Sequence, residues 1–174
     1  MLFPIKLIIS VMLSWLLISP SLAAVKKDHM SMSMLGISRG MTLAEVDKSV
    51  KAMAGVKTSS LDKYPDKINI KIYTVNFQDG RLLRLGFDPR SQKVGDIDLT
   101  YQGGSYKKNL KPLELEGLPK PEFVSEDEVA IQQGWGGKRL IDGDLQPGRK
   151  SKGTLLVTHI KGQSISIALY ELPY

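Results

Sequence analysis

From residue 42 onward the polar and apolar positions change period along the chain, and the changes mark the elements. Leu43, Val46, Val50 and Met53 recur three or four residues apart, with Asp47, Lys48 and Lys51 between them. This stripe predicts a short amphipathic helix. Thr42 and Glu45 fit a capping box, the hydroxyl accepting from the N3 amide and the carboxylate from the cap amide, and Gly55 supplies the stop. The period then drops to two. Residues 68–77 alternate, Asp79-Gly80 predicts a two-residue hairpin turn, Leu83, Leu85 and Phe87 share a face, and Ile97, Leu99 and Tyr101 share another opposite Asp96, Asp98 and Thr100. A helix followed by an antiparallel meander predicts an α+β layer, with short helices packed on the sheet. The first unit spans residues 24–101.

Residues 102–121 have no sustained period but carry Gly103-Gly104, Lys107, Lys108, Lys111, Pro112, Pro119 and Pro121, the composition of a linker. Beyond it the first pattern returns in weaker form. Ser125 and Glu128 suggest a second capping box, Val129 and Ile131 an apolar face, and Gly134 an early stop, before strands 154–160 and 164–171 about a turn at Lys161-Gly162. The capping boxes are 83 residues apart and the turns 82. That agreement suggests two tandem helix-plus-sheet repeats, residues 122–174 being a degenerate second copy.

The first 23 residues change the compartment. Lys6, an apolar run of 12 residues from Leu7 to Ile18, Pro20, and small residues at Ser21 and Ala23 read as an export signal cut after Ala23. The run is shorter than the roughly 20 residues a spanning helix needs, and no second run follows, so no stable span is expected after cleavage. The chain has 24 Lys and Arg against 18 Asp and Glu, a charge of +6, and loss of Lys6 leaves +5. It has no Cys, which excludes thiolate chemistry, disulfides and a cysteine-linked lipid anchor. A basic, cysteine-free, exported chain of 174 residues suits a periplasm or secretion medium.

Gly40-Met41-Thr42-Leu43-Ala44-Glu45-Val46, followed by Tyr73, Phe77, Asp79-Gly80 and Leu83, resembles the SmpA/OmlA (BamE-like) family of small periplasmic proteins and the repeat unit of the β-lactamase inhibitor protein fold. The resemblance covers about residues 35–101, and 122–171 more loosely. It implies a scaffold with helices on one side of an antiparallel sheet that grips proteins or envelope components and has no catalytic centre. The family's lipoprotein cysteine is absent: Ala23 and Ala24 stand there.

Catalytic constellations are scarce. His29 and His159 are the only imidazoles, and no G-x-S-x-G elbow marks a nucleophile. Ser60-x-x-Lys63 and Ser105-x-x-Lys108 mimic the penicillin-binding signature without its partner motifs. Asp96 with Asp98 reads as a solvated strand face. Asp142 with Asp144 offers oxygen donors to a calcium ion but lacks the remaining ligands, and Ser125-Glu126-Asp127-Glu128 suits a helix N-terminus. No cofactor is implied.

Binding is the chemistry left. Lys107, Lys108 and Lys111, with Arg149, Lys150 and Lys152, are basic clusters suited to anionic envelope glycans, lipid headgroups or an acidic envelope protein, or to solvation alone. Export argues against nucleic acid. Trp135 among glycines either stacks on a sugar or protein partner or plugs the core. Met30, Met32 and Met34 alternate, so their thioethers share a face of an extended segment. With His29 they would suit a soft metal such as Cu(I), or they fill the core. The expectation is a non-enzymatic periplasmic binding protein; the alternative is a soft-metal or small-ligand carrier using the Met segment.

Overall fold

Strict alternation of apolar side chains needs one buried sheet face, and the chain builds that face from eight of its twelve described strands. The computed structural model describes residues 27–64, 70–139, 145–147 and 153–171; the export signal, Asp142 and Asp144 lie outside these. In chain order the elements are β1 (Ser33–Met34), β2 (Ile37–Ser38), α1 (Leu43–Ala52), β3 (Val56–Tyr64), β4 (Ile70–Phe77), β5 (Arg81–Phe87), β6 (Val94–Gln102) and α2 (Gly103–Lys108). Then follow β7 (Phe123–Glu126), β8 (Ala130–Trp135), β9 (Gly137–Arg139), β10 (Leu145–Pro147), β11 (Gly153–Ile160) and β12 (Ser164–Glu171). Eight of the strands form one antiparallel sheet in the order β3-β4-β5-β6-β12-β11-β8-β7.

The expected α+β layer is therefore corrected: the molecule is mostly β, one eight-stranded sheet with two short helices among the described residues. The helix at 43–52 forms as expected, with both halves of the Thr42–Glu45 capping box present and Val46 and Val50 buried. The second helix does not form. Ser125 lies in β7, and the Asp127 carboxylate accepts from the backbone N–H groups of Val129 and Ala130, closing a hairpin into β8 where a helix was expected. An Asx turn uses the same residue types as a helix cap, and pairing with β11 decided between them. Tandem helix-plus-sheet repeats are corrected with it.

The Asp79-Gly80 turn is also longer than expected. Gln78, Asp79 and Gly80 all lie between β4 and β5, and Gly80 has φ +92°. Moreover, the two turns 82 residues apart are not equivalent. One joins β4 to β5, whereas the other joins β11 to β12, whose counterpart across the β6–β12 junction is the β5–β6 connection. The sheet consists of two four-stranded meanders that meet through their last strands, from Gln102↔Ser164 to Ile97↔Leu169.

Register aligns the core into rows. Tyr73, Leu85, Ile97, Leu169, Leu155 and Trp135 lie opposite one another across six strands, and Val75, Leu83, Leu99, Ile167 and Val157 form the next row. All are buried. Over this face lie Val46 and Val50 of α1, Met32, Met34 and Ile37 of the β1–β2 region, Tyr106 of α2, and Leu115 and Leu118. Short irregular segments, not a helical layer, do most of the covering.

Candidate functional site

On the other sheet face most side chains are partly or fully exposed, while Thr154 and Ala168 are buried. One row crosses all eight strands, Thr58, Asn76, Leu82, Thr100, Ser166, Thr158, Gln132 and Ser125, each directly opposite the next. All but Leu82 bear a hydroxyl or amide. The adjacent row divides at the junction of the meanders. Ser60, Thr74, Arg84 and Asp98 are polar, while Ala168, Leu156, Gly134 and Phe123 are apolar. Strand spacing of about 4.8 Å sets the interval along each row.

Local contacts shape this face. Ser166 Oγ on β12 donates to Asp98 Oδ1 on β6 at 2.9 Å, linking the two meanders at their junction, and Thr100 Oγ1 on β6 donates to the same oxygen at 3.3 Å. Asn76 Nδ2 donates to Thr58 Oγ1 at 3.1 Å. Burial raises the Tyr170 phenol above its ordinary pKa, and the charges of Asp98 and Asp96 raise it further. Gly134 has its functional reason here: a Cβ would fall inside the Phe123 ring, so the glycine lets an aromatic lie flat on the sheet. Nothing in the local sequence marks residues 123 and 134 as partners, because their register depends on the β7–β8 hairpin.

The structure separates the binding residues expected from sequence. Lys107 and Lys108 are exposed at the end of α2, and Lys111 is exposed just beyond it. Trp135 is buried in the core, its indole N–H donating to the Pro119 carbonyl at 2.8 Å, so it plugs the core and offers no stacking surface. Arg149, Lys150 and Lys152 lie outside the described residues.

Met32 and Met34 share a face, as their alternation predicts, and both are wholly buried in the hydrophobic core. Met30 is partly buried against the same cluster and packs on Gly153. His29 Nε2 lies 3.4 Å from the Gly153 carbonyl. Among the described residues no group of three His, Asp or Glu side chains could hold a metal ion.

Polar contacts fix the covering segments. The Tyr101 hydroxyl donates to both Glu114 oxygens, at 2.9 and 3.0 Å, and Lys27 Nζ donates to the Glu114 carbonyl at 2.9 Å. Burial, then the Glu114 charge, pushes the Tyr101 phenol well above its ordinary pKa. The Tyr106 hydroxyl lies 2.9 Å from His159 Nε2 and accepts from the Gly162 N–H at 3.0 Å, clamping α2 to the β11–β12 turn. Ser105 is buried and its hydroxyl donates to the Gln102 carbonyl, so it works as a structural cap on α2.

Among the described residues no helix is long and apolar enough to cross a membrane. A comparison with models of known protein families finds no match, and comparisons with curated proteins and with solved structures find none either.

Proposed function

We propose that the chain is an exported, non-enzymatic binding protein that docks a protein partner on the polar face of its eight-stranded sheet. The observation that carries this reading is the polar row running across all eight strands beside the partly exposed apolar side chains of Leu156 and Phe123. Hydroxyls and amides beside a flat aromatic and a Leu make the mixed surface that protein interfaces favour, and a rigid sheet presents them at little entropic cost. The BamE-like resemblance of residues 35–101 supports partner binding, although the helical layer it implied is absent, and the Lys6 to Ala23 pattern supports export.

The polar groups on this face are arranged for surface recognition. Ser166 and Thr100 are engaged with the Asp98 carboxylate, with no imidazole beside them, and His159 is engaged with Tyr106. The test is affinity capture from cell-envelope extract with the mature chain, compared with a Thr100→Arg, Ser166→Arg variant and a Lys48→Glu control on α1. One protein retained by wild type and control but depleted at least about tenfold by the sheet-face variant is expected, since two buried Arg clashes cost an interface several kcal/mol. Equal capture by all three chains overturns the reading.

A further inference from the structure

Among the described residues Leu110 and Leu113 belong to a small set of exposed large apolar side chains, with Val124, Val129 and Tyr170. The two leucines are 55% and 74% exposed, although their neighbours Pro112 and Leu115 are buried or packed on the core. The segment holding them is fixed. The Asn109 backbone N–H donates to the carbonyls of Ser105 and Tyr106 at 3.0 and 3.2 Å, and its side-chain amide donates to the Ser105 carbonyl. The N–H of Leu115 donates to the Pro112 carbonyl, and Glu114 is held by Tyr101 and Lys27. The two leucines are thus held outward by structured backbone.

Around them Lys107, Lys108 and Lys111 are exposed and make no ion pair among the described residues. The nearby acids in the segment are Glu114, engaged by Tyr101, and the exposed Glu116. Val129, 64% exposed, lies at the same end of the sheet, since Gln102, Ser164, Ile160 and Ala130 are aligned there.

We propose that residues 107–113 dock the protein on an anionic phospholipid bilayer, Leu110 and Leu113 entering the headgroup–acyl boundary while Lys107, Lys108 and Lys111 meet lipid phosphates. Interfacial anchoring needs an apolar and a cationic component together, and this segment carries both. A soluble anionic glycan would satisfy the lysines and leave both leucines in water. The surface is separate from the polar sheet row, so a partner on the sheet face and a membrane at this end are compatible.

The experiment is co-sedimentation of the mature chain with vesicles of phosphatidylcholine containing phosphatidylserine, and with phosphatidylcholine alone. Partition onto the anionic vesicles only is expected. Leu110→Ser with Leu113→Ser should lower it at least about tenfold. Lys107→Gln, Lys108→Gln, Lys111→Gln should lower it about a hundredfold, each lysine contributing roughly fivefold. All five side chains are exposed, and circular dichroism verifies that the variants fold. The Thr100→Arg, Ser166→Arg variant should partition as wild type, which separates this result from the sheet-face reading. No partition by wild type, equal partition onto both vesicles, or undiminished partition by the Leu double variant overturns the proposal.

Discussion

Met32 and Met34 fill the space between the sheet and its covering segments, and truncation there leaves a cavity that the packed rows of the sheet cannot close. Met34→Ala should cost about 2–5 kcal/mol, measured as a lowered urea midpoint at unchanged slope. An unchanged midpoint would remove Met34 from the core. Their common face was legible from period two alone. What that face meets was not, because alternating Met and Ser is compatible with a core and with a soft-metal site. Gly134 and Phe123 make a second residue-scale case. Gly134→Ala should be strongly destabilising in the wild type and much less so beside Phe123→Ala, and a double-mutant cycle measures that coupling. Tyr101 carries a pH dependence. Its phenol is raised in the folded state, so its contribution is fully present below the ordinary phenol pKa near 10 and is lost as the pH climbs toward the raised folded value. Tyr101→Phe should flatten that alkaline loss in a stability profile. A profile identical to wild type would contradict the Tyr101–Glu114 contact.

Among the elements, α1 was readable because its cap and its stripe agree. Hydrogen bonds from the Thr42 backbone and side chain hold the Glu45 carboxyl below the usual carboxylate range. A depressed folded pKa stabilises above the unfolded value and loses that contribution as pH falls through the folded one, so the cap weakens in acid. Thr42→Ala should cost about 1 kcal/mol at neutral pH, read from thermal unfolding. No change would show that tertiary packing alone holds α1. The hairpin of β7 and β8 was misread for a physical reason: Ser125-x-x-Glu128 carries a capping pattern, while the Asp127 side chain and the pairing of β8 with β11 favour extended backbone. β3 was missed because Lys57, Thr58, Ser59, Ser60, Asp62 and Lys63 are exposed on an edge strand that has one neighbour. Such a strand needs little apolar signal.

At the scale of the molecule, alternation predicted β4, β5, β6, β11 and β12 individually, yet not that β6 and β12 would pair. That contact joins residues more than sixty positions apart, and no local pattern encodes it. The polar face follows from the same junction, since the polar row becomes continuous only when the two meanders share a sheet. Of the binding residues expected from sequence, the three linker lysines stand on the surface, whereas the Trp135 side chain serves the core. The central claim, that this face holds the partner, is tested most directly by a photo-reactive amino acid placed in cells at Thr158 on the polar row and, separately, at Lys48 on α1. Thr158 should crosslink one envelope protein and Lys48 should not. Crosslinks to that protein from Lys48 alone, or none from Thr158, would contradict the account.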